Sequence, residues 1–350
     1  MDKPLRRYLV VAILVATVLM GGRAAWQETV KIGCLPNGGV MPPGLWMDGC
    51  ASDQIGSYGL DLLWFNLDPK AVAAIRDAKV LLFGDSRMLT AASDGGASAW
   101  FAERNIPMYL LAFGAGEQSG FADRLVEKLK PHPDLVVFDA DPYFTGMQSI
   151  PAQAIANDPV GEEKIGRETK AFLDNGSVYC HYLSWLCGRT QHFFRQYSDG
   201  VVVHPPEDRV WFNKNEMGSF PVTHPGAQDT SHYDVYLANA RSLVAKLHLD
   251  PRCVVFTSIP NTEMDATLAK FLAANLGARV VAPWLDDLTS LDHYHLTPDS
   301  SRRWTSAFLE ELQPIVRQCV DNSAERSAQS GETPVRRPET TIVSTAARQP

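Results

Sequence analysis

The chain lacks most of the features that assign a protein quickly. It has no C-x-x-C pair, which argues against a zinc ribbon or a thioredoxin-like redox site. It has no basic surplus: the formal charge is −8 over 350 residues. Nor do Lys and Arg cluster with interleaved aromatics, which argues against a nucleic-acid partner. No dinucleotide loop is present, because Ser119 stands where the last glycine of a G-x-G-x-x-G pattern over Gly114, Gly116 and Gly120 would fall. His204, His224 and His232 are scattered without metal-ligand spacing. No cofactor or metal is therefore expected. No internal repeat stands out, and the N-terminal apolar run is shorter than the roughly 20 residues a spanning helix needs.

What is present begins with that run. Lys3, Arg6 and Arg7 precede an apolar stretch from Tyr8 to Met20, then Gly21-Gly22-Arg23-Ala24-Ala25. This is the order of a secretory signal, with Gly22 and Ala24 suited to cleavage. The alternative is an uncleaved signal-anchor, in which small residues and Trp26 extend the span past Arg23. Under either reading residues 1–25 export the body to the periplasm or exterior, with the positive flank on the cytoplasmic side. A retained segment would anchor it to the inner membrane. Residues 26–67 form an exported extension. Residues 321–350, rich in Ser, Thr, Glu, Arg and Pro, are expected to be a disordered tail.

Six cysteines fit an oxidising compartment. Proximity and expected topology suggest Cys34 with Cys50, Cys180 with Cys187, and Cys253 with Cys319, among many connectivities. The last pair would clamp the final helix to the fourth strand.

In the body, Asp68-Pro69 reads as an N-cap followed by proline in the first turn, opening a helix to about Asp77. Val80–Phe83 is apolar without alternation, as a strand buried on both faces requires. The same signature recurs at Met108–Phe113, Leu135–Phe138, Val254–Ser258 and Arg279–Ala282. Helical patterns at Phe121–Leu129, Tyr233–Leu247 and Met264–Leu276 lie between several of them. Strand and helix in alternation predict an α/β domain over residues 68–320, with a parallel five-stranded sheet covered on both faces. From about 145 to 230, between the third and fourth strands, no strand is evident but aromatics and histidines abound. Such an insertion is either a lid or binding loop, or a local helical subdomain packing its own aromatics.

The chemistry centres on Gly84-Asp85-Ser86, which follows the first buried strand, and on Asp292-His293-Tyr294-His295, which precedes the last helix. A serine hydroxyl needs a base within hydrogen-bond reach, and the base needs an orienting carboxylate. Together these segments resemble the SGNH/GDSL hydrolase superfamily over roughly residues 80–319. The resemblance implies a three-layer, flavodoxin-like fold and activity as an esterase or as a carbohydrate O-acyl hydrolase or transferase. It implies Ser86 as nucleophile, His295 as base and Asp292 as its orienting partner. His293 is a rival base but does not fit the family spacing. A buried histidine satisfied by a neighbouring aspartate would look the same in sequence.

The family's oxyanion hole uses the serine N–H, a glycine after the second strand and an asparagine after the third. Gly114 or Gly116 supplies the glycine. Asp141 stands at the asparagine position, where an ionised carboxylate would repel a developing oxyanion. Asp141 could be protonated, could turn away to bind Arg87, or could leave the donor role to Tyr143; otherwise the site is inactive. Arg87 either pairs with an acidic neighbour such as Asp139 or Asp141, or orients an anionic or sugar-bound acyl group. The expected substrate is an acylated, most simply acetylated, envelope carbohydrate, and envelope proteins are expected partners. The alternative is an inactive carbohydrate-binding or scaffolding component of an envelope assembly.

Overall fold

The computed structural model of the chain describes residues 44–51, 63–66, 69–114, 117–140, 143–157, 191–203, 218–226, 228–263 and 265–321, with isolated positions between 8 and 22. The pairs Cys34–Cys50 and Cys180–Cys187 fall at least in part outside the described side chains, as do most of the signal segment and the tail from 322. Among the described residues no helix is long and apolar enough to cross a membrane.

In chain order the strands are β1 (Leu45–Ala51), β2 (Val80–Gly84), β3 (Met108–Ala112), β4 (Leu135–Asp139), β5 (Gln191–Gln196), β6 (Val202–Val203), β7 (Phe220–Pro221), β8 (Val254–Thr257), β9 (Arg279–Val280) and β10 (Thr289–Ser290). The helices are α1 (Pro69–Asp77), α2 (Ser86–Asp94), α3 (Ala97–Ala102), α4 (Ser119–Leu129), α5 (Ile150–Ala156), α6 (Tyr233–Leu247), α7 (Thr267–Leu276) and α8 (Pro298–Val316).

Five strands form one all-parallel sheet in the order β3-β2-β4-β8-β9. Counted along the chain this is 2-1-3-4-5, an order consistent with a flavodoxin-like fold. Because side chains alternate across a strand, Leu81 and Phe83 enter one core and Val80 and Leu82 the other. The first core lies under α1, α4, α6 and α7; the second lies under α2, α3 and α8. Each Leu, Val or Phe so withdrawn from water contributes about 1.5–3 kcal/mol. The sheet places the carboxyl ends of β2, β3 and β4 side by side, and α2 starts directly from β2.

Cys253, in a single 3-10 turn before β8, is bonded to Cys319 in the π-helical turn after α8, with Cα atoms 5.8 Å apart. This is the clamp expected from the sequence. Two expected elements are shorter than read by two residues or more: β9 is two residues long, and α7 begins at Thr267.

The insertion corrects the sequence reading, which found no strand in it. β5 and β6 lie there and form an antiparallel sheet with β1 from the N-terminal extension, in the order β1-β5-β6. This unit covers the exposed edge of β3, which would otherwise present unpaired backbone groups. Leu110 N donates to Asp199 O at 2.8 Å. Arg195, on β5 and 1% exposed, donates through Nη2 to Ala112 O at 2.7 Å and through Nη1 to Leu110 O at 3.3 Å. A third insertion strand, β7, pairs with β10 just before the Asp292–His295 loop.

Candidate active site

Ser86 is placed by a tight strand-to-helix turn. Asp85 is the N-cap of α2, and its Oδ1 accepts from Arg87 N at 2.9 Å. Gly84 has no room for a side chain: a Cβ would overlap Met88 and stand 3.1 Å from Asp139 Cβ. The turn therefore leaves Ser86 at the first residue of a nine-residue helix, where backbone N–H groups have no helical acceptor.

His295 comes to Ser86 from a loop 209 residues later in the chain. His295 Nε2 lies 2.8 Å from Ser86 Oγ, and His295 Nδ1 lies 2.7 Å from Asp292 Oδ2. The Asp-x-x-His spacing has a local cause. The other oxygen of Asp292, Oδ1, accepts from Tyr294 N at 3.1 Å and from His295 N at 2.8 Å. The carboxylate thus folds the loop back on itself and grips both backbone and ring. Burial works against ionisation of Asp292, but the hydrogen bonds and charge of His295, with the Tyr294 N–H, outweigh it and hold the carboxyl below its usual range. An ionised carboxylate only accepts, so Nδ1 must carry a proton, and in the neutral ring that arrangement leaves the Nε2 lone pair facing Ser86. That tautomer can take a proton from the hydroxyl.

Neighbouring segments hold this loop. Leu291 N donates to His295 O at 2.7 Å, and Gly218 N donates to Leu291 O at 3.0 Å. Thr262 N and Oγ1 both donate to His293 O, at 3.3 and 3.2 Å. Tyr294 Oη donates to Glu263 Oε1 at 2.6 Å. His293, the rival base, does not face the serine in this arrangement. It is exposed, has φ +73°, and stacks on Phe220 with ring centroids 4.0 Å apart.

The remaining expected site residues divide. Gly114 ends the segment after β3, and neither its N–H nor that of Ser86 donates to a backbone carbonyl among the described residues. Both are thereby available as donors. Gly116 and Asp141 lie outside the described residues. Tyr143 corrects the expectation of a substitute oxyanion donor. Its ring is fully buried, stacked on Phe138 and edge-on to Phe144. Burial first, then the charges of Asp85 and Asp123, push its hydroxyl well above the usual phenol range, and at 0% exposure the side chain presents no surface to a substrate.

Arg87 is also buried, and the structure favours the simpler of its two readings. Its Nε lies 3.4 Å from Asp85 Oδ1 and its Nη2 3.6 Å from Asp139 Oδ2. At 4% exposure its side chain is turned into the protein rather than out to solvent. Sequence reasoning missed Asp85 as both cap and ion-pair partner, although an Asp before a helix is a readable N-cap signal. It also missed Thr262 and Glu263, which carry no motif.

Among the described residues no group of three or more His, Cys, Asp or Glu is placed to hold a metal ion. No family model, no curated protein and no solved structure matches the chain.

Proposed function

We propose that the chain is an exported serine esterase or O-acyltransferase of the SGNH type, acting on acyl groups of an envelope carbohydrate. The observation that carries this reading is the relay of hydrogen bonds from Ser86 Oγ to His295 Nε2, and from His295 Nδ1 to Asp292. The 2-1-3-4-5 strand order, helices on both faces and an insertion before the fourth strand support a three-layer flavodoxin-like architecture for it.

In this mechanism Ser86 Oγ attacks the acyl carbonyl carbon while its proton passes to His295 Nε2. Asp292 stabilises the imidazolium. The Ser86 and Gly114 N–H groups, the former at the positive end of α2, receive the oxyanion. When the tetrahedral intermediate collapses, the bond to the sugar oxygen breaks and His295 returns the proton to it. An acyl-serine remains. Water or a second sugar hydroxyl then attacks, with His295 again as base, giving hydrolysis or transfer.

The test is turnover of p-nitrophenyl acetate by the full chain beside its Ser86→Ala variant, with intact-mass detection of an acetylated chain during turnover. Activity and acetylation that both vanish in Ser86→Ala support the reading. Wild-type chain with neither, or a variant that retains both, defeats it. The second reading, an inactive carbohydrate-binding component, is favoured by Asp141 at the family's asparagine position. A wild-type chain without activity beside an Asp141→Asn variant that gains it would refute the enzyme reading for the natural chain.

A further inference from the structure

We infer that the residues between the two relay members, His293 and Tyr294, form with Phe220 an aromatic subsite that holds a sugar ring of the acyl-bearing polymer. The inference rests on the acyl-serine reading above, because it supplies a substrate class to that same site.

The starting observation is placement. His293 and Tyr294 lie in sequence between Asp292 and His295, yet both side chains are exposed, Tyr294 at 44%. A loop whose sole task was to hold the base would have no need of two outward-facing rings. His293 adopts φ +73°, a region non-glycine residues seldom enter. The two hydrogen bonds from Thr262 to its carbonyl brace that conformation. Backbone held in a sparsely populated region beside a reacting group is a reason to look for function there.

The rings are fixed rather than loose. One face of the His293 imidazole lies on Phe220, whose own carbonyl accepts from Ser290 Oγ at 3.3 Å. Tyr294 is pinned through its hydroxyl to Glu263. The result is a pre-organised, amphipathic rim: aromatic faces for stacking, with a carboxylate and hydroxyls at their edges. This combination matches a pyranose, which has an apolar C–H face and hydroxyls around its rim. A fatty acyl chain would instead require a continuous apolar groove without the charged edge. Phe220 comes from the insertion, so the insertion contributes to this subsite. A second stack, His224 on Trp284 with centroids 4.0 Å apart, lies four residues farther along the same insertion segment. That is at most about 14 Å of chain, so a polymer rather than a single sugar could run along this edge.

The experiment uses the full chain carrying Ser86→Ala, which can bind without turnover, on an array of acetylated and de-acetylated polysaccharides. The expected result is binding to at least one polysaccharide. Binding should weaken at least tenfold with His293→Ala or Tyr294→Ala, and be retained by Tyr294→Trp, which keeps an aromatic face. Retention by Tyr294→Trp separates stacking from misfolding. Binding to none of the polysaccharides, or binding unaffected by both alanine variants, overturns the subsite. In the Ser86-containing chain, Tyr294→Ala should lose at least tenfold more kcat/KM on the acetylated polysaccharide bound than on p-nitrophenyl acetate. Equal losses on the two substrates also overturn it, since they would mean that Tyr294 acts only by positioning His295. A chain that binds sugar through these rings but turns over neither ester would sink the esterase reading and leave the subsite standing.

Discussion

Arg87, the residue after Ser86, holds its Nη2 3.6 Å from Asp139 Oδ2, joining the start of α2 to the end of β4. Both side chains are at most 4% exposed, and Asp85, at 6%, shares the guanidinium. A charge pair this deep gains little over apolar packing when intact, but removing one partner leaves uncompensated charge in a poor solvent. The strand ends that frame the serine are thus held by an arrangement that tolerates no half.

Arg87→Met is accordingly expected to destabilise the fold by about 3–5 kcal/mol. Arg87→Lys should recover only part, because an ammonium cannot reproduce the planar fork. Urea unfolding with an unchanged m-value measures this. An Arg87→Met chain within about 1 kcal/mol of wild type would show that the carboxylates are protonated or otherwise compensated.

Much of this frame could be read from sequence because its physics is local. Val80–Gly84, Met108–Ala112 and Leu135–Asp139 are buried on both faces, so an unbroken apolar run is all such a strand can be. His295 was separable from His293 by spacing, for a reason the structure supplies: Asp292 Oδ1 accepts from the N–H groups two and three residues on. The insertion resisted reading on equally physical grounds. Gln191-His192-Phe193-Phe194-Arg195-Gln196 buries an arginine that donates to backbone carbonyls of a remote strand, and such acceptors leave no trace in side-chain pattern. β6 and β7 are two residues each, too short for any period to show. Tyr143 was misplaced because position after the third strand says where a residue starts, not which way its ring turns.

Asp292→Asn should lower kcat by about 10⁴, since the amide no longer enforces the Nδ1–H tautomer. The same carboxyl gives a pH signature. Its folded pKa is depressed, so its contribution to stability is fully present above the unfolded value of about 3.9 and is lost as pH falls through the lower folded value. The stability gap between wild type and Asp292→Asn should therefore narrow as pH drops below about 4. Unfolding curves across that range check this. A gap that stays constant or widens would mean that the carboxylate is not stabilised by its partners.

The Cys253–Cys319 bond closes a loop with a sequence separation of 66. In the chain-entropy model a loop of that length stabilises by about 4 kcal/mol. The Cys253→Ser/Cys319→Ser double variant should lose about that amount in urea unfolding. Peptide mapping of non-reduced wild-type protein should recover the two segments as one linked species. Finding either cysteine linked elsewhere would remove the basis for the expectation.

Gly200 decides how closely the insertion can approach the sheet. Its φ is +69°, and a Cβ there would stand 2.6 Å from Tyr109 Cε1 and 2.7 Å from Leu110 O. The second of these is backbone of the edge strand and cannot rotate away. Gly200→Ala combines a left-handed alanine with overpacking and should cost about 2–4 kcal/mol. The damage should be local. Arg195 would lose its seat against Leu110 and Ala112, so amide exchange should accelerate at Leu110, whose N–H donates to Asp199, before it does in β4 or β8. Uniform acceleration across all five strands would instead mean that the insertion and the parallel sheet unfold as one unit.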